Sequence, residues 1–411
     1  MAGKQHVVIV VTMDTKGEEG KYIKDLILEK GHIPILVDAG VFESPYSSDA
    51  DITNKAVAQS VGLTMEKVRE GKRVGGAGEG EAIDLMIKGA VTVVQQLLKE
   101  GKMQGILCIG GSMGTSVGMT VMKDIPFSIP KVMLSTVAFT PLIPFGAGSI
   151  DQMLAQTIAD MRGLNTVTRM TIRRGVDALC GMIEGQEKTV KQKPIVGITG
   201  LGGHRIVEYC ADLLNQKGFE GVVFHSIGVN SAEKLIKEGF VDGMLDLCIF
   251  ELVNLVCGGD VAGADEKLTA GCEKGIPQLI SAGAIDFFAW SRGVDAMPPE
   301  IRKRKFEVHN PMVILVPTND EEKSAVLDLM IERVNKATGP TIILVPLGGF
   351  SRLDKKGMPF HDPSVPRRVY EEFKKRITNN MVQVRTIDAH INDPLFGETA
   401  VNSFIELYNK N

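Results

Sequence analysis

Short runs of β-branched and aliphatic residues alternate along the chain with amphipathic helical segments. Val7–Val11 is a continuous apolar run, typical of a parallel strand that is covered on both faces. A helix over 17–29 and a strand over Ile33–Val37 follow, and further strands are predicted at Gly105–Ile109 and Val132–Leu134. This alternation of strand and helix predicts a doubly wound parallel sheet of the Rossmann-like α/β class.

The second half of the chain repeats this pattern. Residues 151–183 are predicted to be helical, and the polar, aperiodic stretch over 184–193 suits a linker. Strands are then predicted at 195–199, 221–224, 244–248, 277–280, 312–316, 341–345 and 382–387. We therefore predict two Rossmann-like domains, over 1–188 and 194–411, with a cleft between them.

Composition limits the partners of the protein. The net charge of -4 argues against nucleic acid or an anionic membrane as the main partner. No apolar run approaches the length of a membrane span, and the N-terminus lacks the pattern of a secretory signal. The six cysteines form no C-x-x-C pair and mostly stand among apolar neighbours, as reduced core thiols do. These features predict a cytoplasmic protein that binds neither nucleic acid nor membrane.

A glycine-rich turn follows the strand at 105–109. In open parallel sheets, ligands bind at the carboxyl ends of strands, where the next helix offers free backbone N–H groups and the positive end of its dipole. Glycines let the backbone approach a phosphate closely, and hydroxyls can bind it or cap the helix. The turn matches neither the Walker A loop nor G-x-G-x-x-G. It predicts a phosphate cradle in preference to a capped turn without ligand, and its candidate residues are Gly110, Gly111, Ser112, Gly114, Thr115 and Ser116.

Other strand ends are expected at the same edge of the sheet. Their candidate binding residues are Thr12, Asp14 and Lys16 after the first strand, Asp38 after the second, and Ser135 with Thr136 after Val132–Leu134. Lys16 can neutralise a phosphate, and Asp14 can hold Mg²⁺ or a ribose hydroxyl, or simply cap the helix. Asp38 stands where dinucleotide-binding folds place an acidic residue that binds ribose.

The second domain offers a different chemistry. Five of the seven histidines lie there, several near predicted strand ends. Candidates for acid–base catalysis are His225, Glu251, His309 and Asp393. No H-x-x-x-H or similar ligand spacing occurs, so any metal is unassigned. For each histidine taken alone, the sequence favours a hydrogen-bonded turn residue over a catalytic one.

Several motifs also carry a family resemblance, over residue 5 to about 397. They are Asp14–Glu19, Gly110–Ser116, Pro130–Ala138, Val308–Pro311, Pro346–Ser351 with the Asp354 that trails it, and His390–Pro394. In these residues the chain resembles the Tm-one-like ATP-binding family, a family of uncharacterised bacterial and fungal proteins. The family includes the N-terminal region of the tomato mosaic virus resistance protein.

The resemblance implies two Rossmann-like domains, ATP or a related nucleotide as ligand, possibly with Mg²⁺, and a homodimer. Many relatives are encoded with, or fused to, a TIM-barrel protein, which implies a possible partner. We therefore expect a cytoplasmic nucleotide-binding protein, with the ligand phosphates on Gly110–Ser116. One alternative is an enzyme acting on a small phosphorylated or carboxylated metabolite. The other is a nucleotide-sensing subunit of the barrel partner.

Two segments depart from the family pattern. Phe139–Gly146 stands where the family usually continues with Ser-Gly-Asp and Tyr-Val-Gly. Gly200–His204 stands where it commonly has Phe-Gly-Val-Thr-Thr. Both segments are expected to line the cleft, so the molecule bound beside the nucleotide is expected to differ.

Overall fold

The computed structural model describes residues 3–70, 78–140, 151–185, 191–201, 205–226, 231–261 and 265–410. The chain divides into two compact units, Met1–Thr189 and Val190–Asn411. Each unit is built around an open parallel sheet with helices packed on it, which confirms the predicted Rossmann-like α/β class.

The N-terminal unit contains a five-stranded parallel sheet in the order β2-β1-β3-β4-β5. Its strands are β1 (His6–Val11), β2 (Ile33–Asp38), β3 (Gly105–Gly110), β4 (Lys131–Ser135) and β5 (Met153–Gln156). The chain passes from β1 to β2 on one side and then crosses to β3 on the other. This reversal creates a crevice at the carboxyl ends of β1 and β3, where folds of this type bind ligands.

In the described part of the N-terminal unit, six α-helices pack on this sheet or on one another beside it. They are α1 (Met13–Glu29), α2 (Asn54–Gln59), α3 (Met65–Arg69), α4 (Glu79–Lys99), α5 (Ser112–Lys123) and α6 (Thr166–Glu184). Alternate residues of β1 face opposite sides, as the strand period of two requires. Val8 and Val10 pack in the core formed with α4 and α5, while Val7 and Ile9 pack in the core formed with α1 and α6.

Two sequence-based predictions in this unit were wrong. Helix α1 begins at Met13, four residues earlier than predicted, and has non-helical backbone angles at Lys16. Residues 151–183 are not all helical, because Met153–Gln156 pairs in parallel with β4. Met, Leu, Ala and Gln all favour helices, so pairing with the sheet has overridden local propensity in this segment.

The C-terminal unit contains a six-stranded parallel sheet in the order β14-β13-β9-β8-β6-β7. Its strands are β6 (Ile195–Gly200), β7 (Glu220–His225), β8 (Gly243–Asp246), β9 (Gln278–Ile280), β13 (Thr341–Pro346) and β14 (Val382–Ile387). The chain again reverses direction across the sheet, here between β6 and β8. A second crevice of the ligand-binding type is therefore expected at the carboxyl ends of β6 and β8.

The same unit carries a three-stranded antiparallel sheet, in the order β10-β12-β11, that the sequence did not predict. Its strands are β10 (Phe287–Trp290), β11 (Glu307–Asn310) and β12 (Val313–Pro317). Only β12 was expected, because β10 is too short an apolar run to identify and β11 is mostly polar. The helices of this unit are α7 (Arg205–Gln216), α8 (Ser231–Lys237), α9 (Phe250–Cys257), α10 (Ala270–Lys274), α11 (Pro299–Arg302), α12 (Asp320–Val334), α13 (Val365–Arg376) and α14 (Pro394–Tyr408).

Candidate functional site

The carboxyl edge of the N-terminal sheet carries the residues predicted to bind a nucleotide. Thr12 follows β1, Asp38 ends β2, the turn at Gly110 ends β3, and Ser135 ends β4. Thr12 also neighbours the glycine-rich turn, since a Cβ built on Gly114 would lie 3.9 Å from the Thr12 hydroxyl oxygen. The sheet therefore gathers these strand ends along one edge, as the sequence analysis expected.

The glycine-rich turn passes from strand to helix without an intervening loop. Helix α5 begins at Ser112, immediately after Gly111, and has no side-chain cap at its N-terminus. A Cβ on Gly110 would lie 2.4 Å from the Cα of Gly114, so the turn is too tight for a side chain there. A Cβ on Gly111 would meet only the Thr136 hydroxyl, at 3.7 Å. The backbone of Gly111 is therefore open to an approaching molecule.

Helix α5 begins with unused hydrogen-bond donors. In the described part of the chain, the backbone N–H groups of Ser112, Met113 and Gly114 donate no hydrogen bond. The N–H of Thr115 is the first that bonds within the turn, to the Gly111 carbonyl at 2.8 Å. Ser112 and Met113 are exposed. Together with the helix dipole, these donors favour a bound anion.

Two of the predicted phosphate-binding hydroxyls have structural partners. Thr115 Oγ1 lies 2.7 Å from Ser135 Oγ, and both residues are buried. Ser135 Oγ also accepts a hydrogen bond from the Val137 N–H at 3.0 Å. Thr136 donates its N–H to the Gly110 carbonyl, which ties the end of β4 to the turn. The exposed Ser112 and Ser116 are therefore better placed to meet a ligand than Thr115 and Ser135.

Asp14 fixes the loop that follows β2. Its Oδ2 accepts hydrogen bonds from the N–H groups of Val41 and Phe42, at 2.9 and 3.0 Å. The adjacent Lys16 is largely buried, and its ammonium donates to the Thr15 carbonyl at 3.3 Å. The charge of Lys16 is thus held near the start of α1.

Asp38, the last residue of β2, is buried beside the start of α1. One of its carboxylate oxygens has no partner among the described residues. Its Oδ1 accepts from the N–H groups of Met13 and Gly40, at 3.1 and 2.8 Å. Its Oδ2 has no hydrogen-bond partner among the described residues. Burial raises the pKa of Asp38 to about 6, against the lowering effect of the two backbone hydrogen bonds. Such an orphaned acceptor at a strand end is suited to a ligand hydroxyl.

Asp14 and Asp38 each use one carboxylate oxygen to fix the backbone. The two N–H groups that each carboxylate accepts fall on Oδ2 of Asp14 and on Oδ1 of Asp38. Across the ranges that the structure describes, no group of three or more His, Cys, Asp or Glu side chains could hold a metal ion. The expected Mg²⁺ stays a prediction, and it would have to take most of its oxygen ligands from phosphates and water.

The four acid–base candidates of the C-terminal unit lie on different elements. His225 is exposed at the end of β7, and His309 is exposed on the edge strand β11. Asp393 precedes α14, and its Oδ2 accepts the N–H of His390 at 2.9 Å. Glu251 is buried in the first turn of α9. Within the described chain, no hydrogen bond or ion pair joins any two of the four, so their shared catalytic role stays a prediction.

Glu251 instead belongs to a buried ionic cluster. Lys267 Nζ lies 2.8 Å from Asp246 Oδ1 and 3.6 Å from Glu251 Oε1, and all three side chains are almost fully buried. Burial raises the pKa of Glu251, and the nearby ammonium of Lys267 opposes that rise. Lys267 could not be recognised from sequence as a site residue, because it stands in an aperiodic segment outside any helix or strand.

A second buried network surrounds Asp286. Its Oδ2 accepts the Ser351 hydroxyl at 2.6 Å, and its Oδ1 has no partner in the described chain. The Nε2 of His390 lies 2.9 Å from the Ser351 carbonyl oxygen, and the His390 Nδ1 accepts the Asn392 N–H, so Nε2 carries the proton. In the same loop, Asp354 Oδ2 accepts a hydrogen bond from the Phe350 N–H. These hydrogen bonds indicate that the Gly-Gly-Phe-Ser motif fixes the shape of the loop after β13.

Some predicted features lie outside the described residues. They are residues 202–204 of the Gly200–His204 turn and residues 141–146 of the Phe139–Gly146 departure. Among the helices that the structure describes, none combines the length and apolar character needed to cross a bilayer.

Models of one protein family match the chain twice. The N-terminal domain of the uncharacterised protein family UPF0261 matches residues 5–188, and its C-terminal domain matches residues 193–408. A UPF0261 protein of Clostridium tetani is 31% identical over 408 residues, which cover 98% of this chain and 99% of that protein.

The relatives also include a plant protein. The ToMV susceptible protein tm-1(GCR26) of Solanum lycopersicum is 31% identical over 341 residues, 80% of this chain and 45% of that protein. Among solved structures, the S. aureus MnaA-UDP co-structure is 10% identical with a TM-score of 0.23, covering 67% of this chain and 78% of that one. The two family domains and the C. tetani relative decide the assignment: the chain belongs to the UPF0261 family and is homologous to the tomato tm-1 proteins.

Proposed function

We propose that the N-terminal unit binds ATP or a related nucleotide, with the phosphates on the backbone N–H groups at the start of α5. The observation that carries this proposal is the set of three unused N–H donors, on Ser112, Met113 and Gly114, beside the open backbone of Gly111. Donors in this arrangement bind phosphate oxygens, and the helix dipole adds favourable charge. Their position between β1 and β3 is where doubly wound sheets bind nucleotides.

The surrounding residues support a nucleotide over a free phosphate. The orphaned Oδ2 of Asp38 is an acceptor suited to a ribose hydroxyl, whereas a phosphate oxygen would be repelled by an ionised carboxylate. Lys16 at the start of α1 supplies a compensating positive charge. The resemblance to the Tm-one-like family, through Asp14–Glu19 and Gly110–Ser116, favours ATP among nucleotides. A cytoplasmic location, a homodimer and a barrel partner remain expectations from composition and resemblance.

Thermal unfolding of the full chain with millimolar ATP tests the proposal. A ligand present at about 100 times its dissociation constant stabilises the folded state by roughly 2.7 kcal/mol, which raises Tm by several degrees. We expect such a shift in the wild type, and a loss of most of it in Gly111→Val and Lys16→Ala. Gly181→Ala is the matched control, because a Cβ at this exposed helical glycine of the same unit would meet nothing within 4 Å.

The outcomes separate binding at this turn from binding elsewhere. An ATP-dependent shift that survives in Gly111→Val would show that the nucleotide binds at another site. No shift with ATP, ADP or GTP at millimolar concentration would overturn nucleotide binding itself. Far-ultraviolet circular dichroism of each variant checks that the fold is retained.

A further inference from the structure

A groove lies between the N-terminal parts of α12 and α13 in the C-terminal unit. Its volume is about 380 Å³, within the range of about 300–1,000 Å³ that is usual for sites of small molecules. Leu327, Val365 and Val369 give the groove an apolar lining, and all three residues are buried. The groove is therefore large enough for a small molecule and can shelter an apolar part of it from water.

The carboxylates that line this groove are already paired with arginines. The pairs are Asp320 with Arg368, Glu371 with Arg367 and Glu372 with Arg376, at N–O distances of 2.9, 3.2 and 3.3 Å. Asp320 is bound on both oxygens, because the guanidinium of Arg368 donates to Oδ1 at 2.9 Å and to Oδ2 at 3.0 Å. The acidic side chains of the groove thus have their compensating charges within the protein.

Lys323 also lines the groove, and its charge has no such partner. Within the described chain its ammonium forms no ion pair, and its one hydrogen bond there is to the Thr318 carbonyl at 2.6 Å. An ammonium has three N–H donors, so two remain available for a ligand. Burial lowers the pKa of Lys323, and the nearby Asp320 carboxylate opposes this only in part. The groove therefore carries one positive charge that the described residues do not balance.

We infer that the groove between α12 and α13 binds a small monocarboxylate with a short aliphatic body. The carboxylate accepts hydrogen bonds from the Lys323 ammonium, and the aliphatic body packs against Leu327, Val365 and Val369. This site lies in the C-terminal unit and does not depend on the nucleotide site proposed in the N-terminal unit.

The charges of the groove favour a monoanion over other small molecules. A cation would be repelled by the Lys323 ammonium, and a neutral molecule would leave that charge unbalanced. A dianion exceeds the single unbalanced charge. The groove also lies beside the first turns of α12 and α13, whose dipoles point their positive ends toward it. The apolar lining then selects carboxylates that carry an aliphatic body.

Saturation-transfer NMR of the full chain tests the inference, with butyrate and isovalerate as monocarboxylate probes. Butan-1-ol, butylammonium and methyl phosphate are the comparison probes, being neutral, cationic and dianionic. We expect saturation transfer to at least one monocarboxylate, with clearly weaker binding of all three comparison probes.

Two variants locate the binding in the groove. Lys323→Met removes the ammonium and keeps the length of the side chain, so we expect it to weaken butyrate binding roughly tenfold. Ser324→Phe, at an exposed residue that lines the groove, is expected to block the groove and abolish transfer while leaving Lys323 in place. Lys375→Met is the matched control, because it removes one positive charge from an exposed position of α13 outside the groove. Urea unfolding of each variant checks that the fold is retained.

Three results would overturn the inference. One is the absence of transfer to either monocarboxylate, and another is equal butyrate affinity in wild type and Lys323→Met. The third is binding of butan-1-ol as tight as that of butyrate, which would show an apolar groove without selection for an anion. The ATP-dependent shift of Tm in Lys323→Met keeps this site apart from the nucleotide site, because we expect that shift to be unchanged whether or not butyrate binds.

Discussion

The hydroxyl oxygens of Thr115 and Ser135 lie 2.7 Å apart and join the glycine-rich turn to the end of β4. Both residues are buried, so this hydrogen bond supports the turn and does not face the solvent. Thr115→Val keeps the shape of the side chain but leaves the Ser135 hydroxyl with one partner fewer. We expect a loss of about 1–2 kcal/mol in the free energy of unfolding, measured with urea. The ATP-dependent Tm shift should persist, and its disappearance would mean that Thr115 contacts the ligand.

Gly110 and Gly111 provide a matched pair of neighbouring glycines. Gly110→Ala is expected to destabilise the N-terminal unit by a few kcal/mol, because the new Cβ would lie 2.4 Å from the Gly114 Cα. Gly111→Ala is expected to change the unfolding free energy by less than about 0.5 kcal/mol, since its Cβ has space, and yet to weaken ATP binding. Urea unfolding and calorimetric titration with ATP measure the two effects. Equal destabilisation by both changes would contradict this interpretation of the turn.

The orphaned oxygen of Asp38 predicts a difference between ATP and inorganic tripolyphosphate. Asp38→Asn keeps a carbonyl oxygen for the Met13 and Gly40 N–H groups but places an amide where a ribose hydroxyl would donate. We expect the variant to bind ATP about tenfold more weakly than the wild type, with tripolyphosphate affinity not reduced. Calorimetric titration of both ligands measures the difference. An equal loss for ATP and tripolyphosphate would place Asp38 against the phosphates.

The bonding of Asp14 and Asp38 predicts how chelation affects nucleotide binding. The backbone N–H groups occupy Oδ2 of Asp14 and Oδ1 of Asp38, and we assign the orphaned Oδ2 of Asp38 to a ribose hydroxyl, so we do not expect these two carboxylates to be required as magnesium ligands. The ATP-dependent Tm shift should therefore be similar with excess MgCl₂ and with EDTA. A shift that requires magnesium would contradict this expectation and would indicate that the second oxygen of Asp14 or Asp38 helps to hold the ion.

The carboxyl ends of β1 to β4 could be predicted from sequence because these strands are apolar runs that stop at threonine, aspartate, glycine or serine, whereas β5 was predicted as helix. The run Val7–Val11 and the glycines after Ile109 placed β1 and β3 to within a residue or two. It could not be predicted which hydroxyls of the turn support the fold and which are free to meet a ligand. Ser112 and Thr115 are both hydroxyl residues in one helical turn, and only the neighbouring Ser135 makes one of them structural.

The ionic cluster of the C-terminal unit was beyond prediction for a different reason. Glu251 could be suggested because it follows a predicted strand, but Lys267 lies in an aperiodic segment far along the chain. A lysine in such a segment is usually solvated, and its burial depends on Asp246 and Glu233, which come from other elements. Lys267 is of a residue type that is usually exposed, and only its tertiary contacts place it at the centre of a buried ionic cluster.

Asp286 predicts a fall in stability with rising pH. Burial raises the pKa of Asp286 to about 7, from an ordinary value of 3.8, and Asp354 raises it further while the Ser351 hydroxyl lowers it. The folded state therefore binds this proton more tightly than the unfolded state. Its contribution to stability is fully present below pH 3.8 and is lost as the pH rises to about 7. Above that pH both states are ionised, and the contribution no longer changes.

Asp286→Asn isolates this effect, because the amide keeps an acceptor for the Ser351 hydroxyl and cannot ionise. Relative to this variant, we expect the wild type to lose on the order of 3 kcal/mol of unfolding free energy between about pH 4 and pH 7. Ser351→Ala removes the hydroxyl that stabilises the carboxylate, so its loss should continue above pH 7. Urea unfolding at a series of pH values measures all three proteins. Parallel curves for wild type and Asp286→Asn would mean that Asp286 is ionised in the folded protein throughout this range.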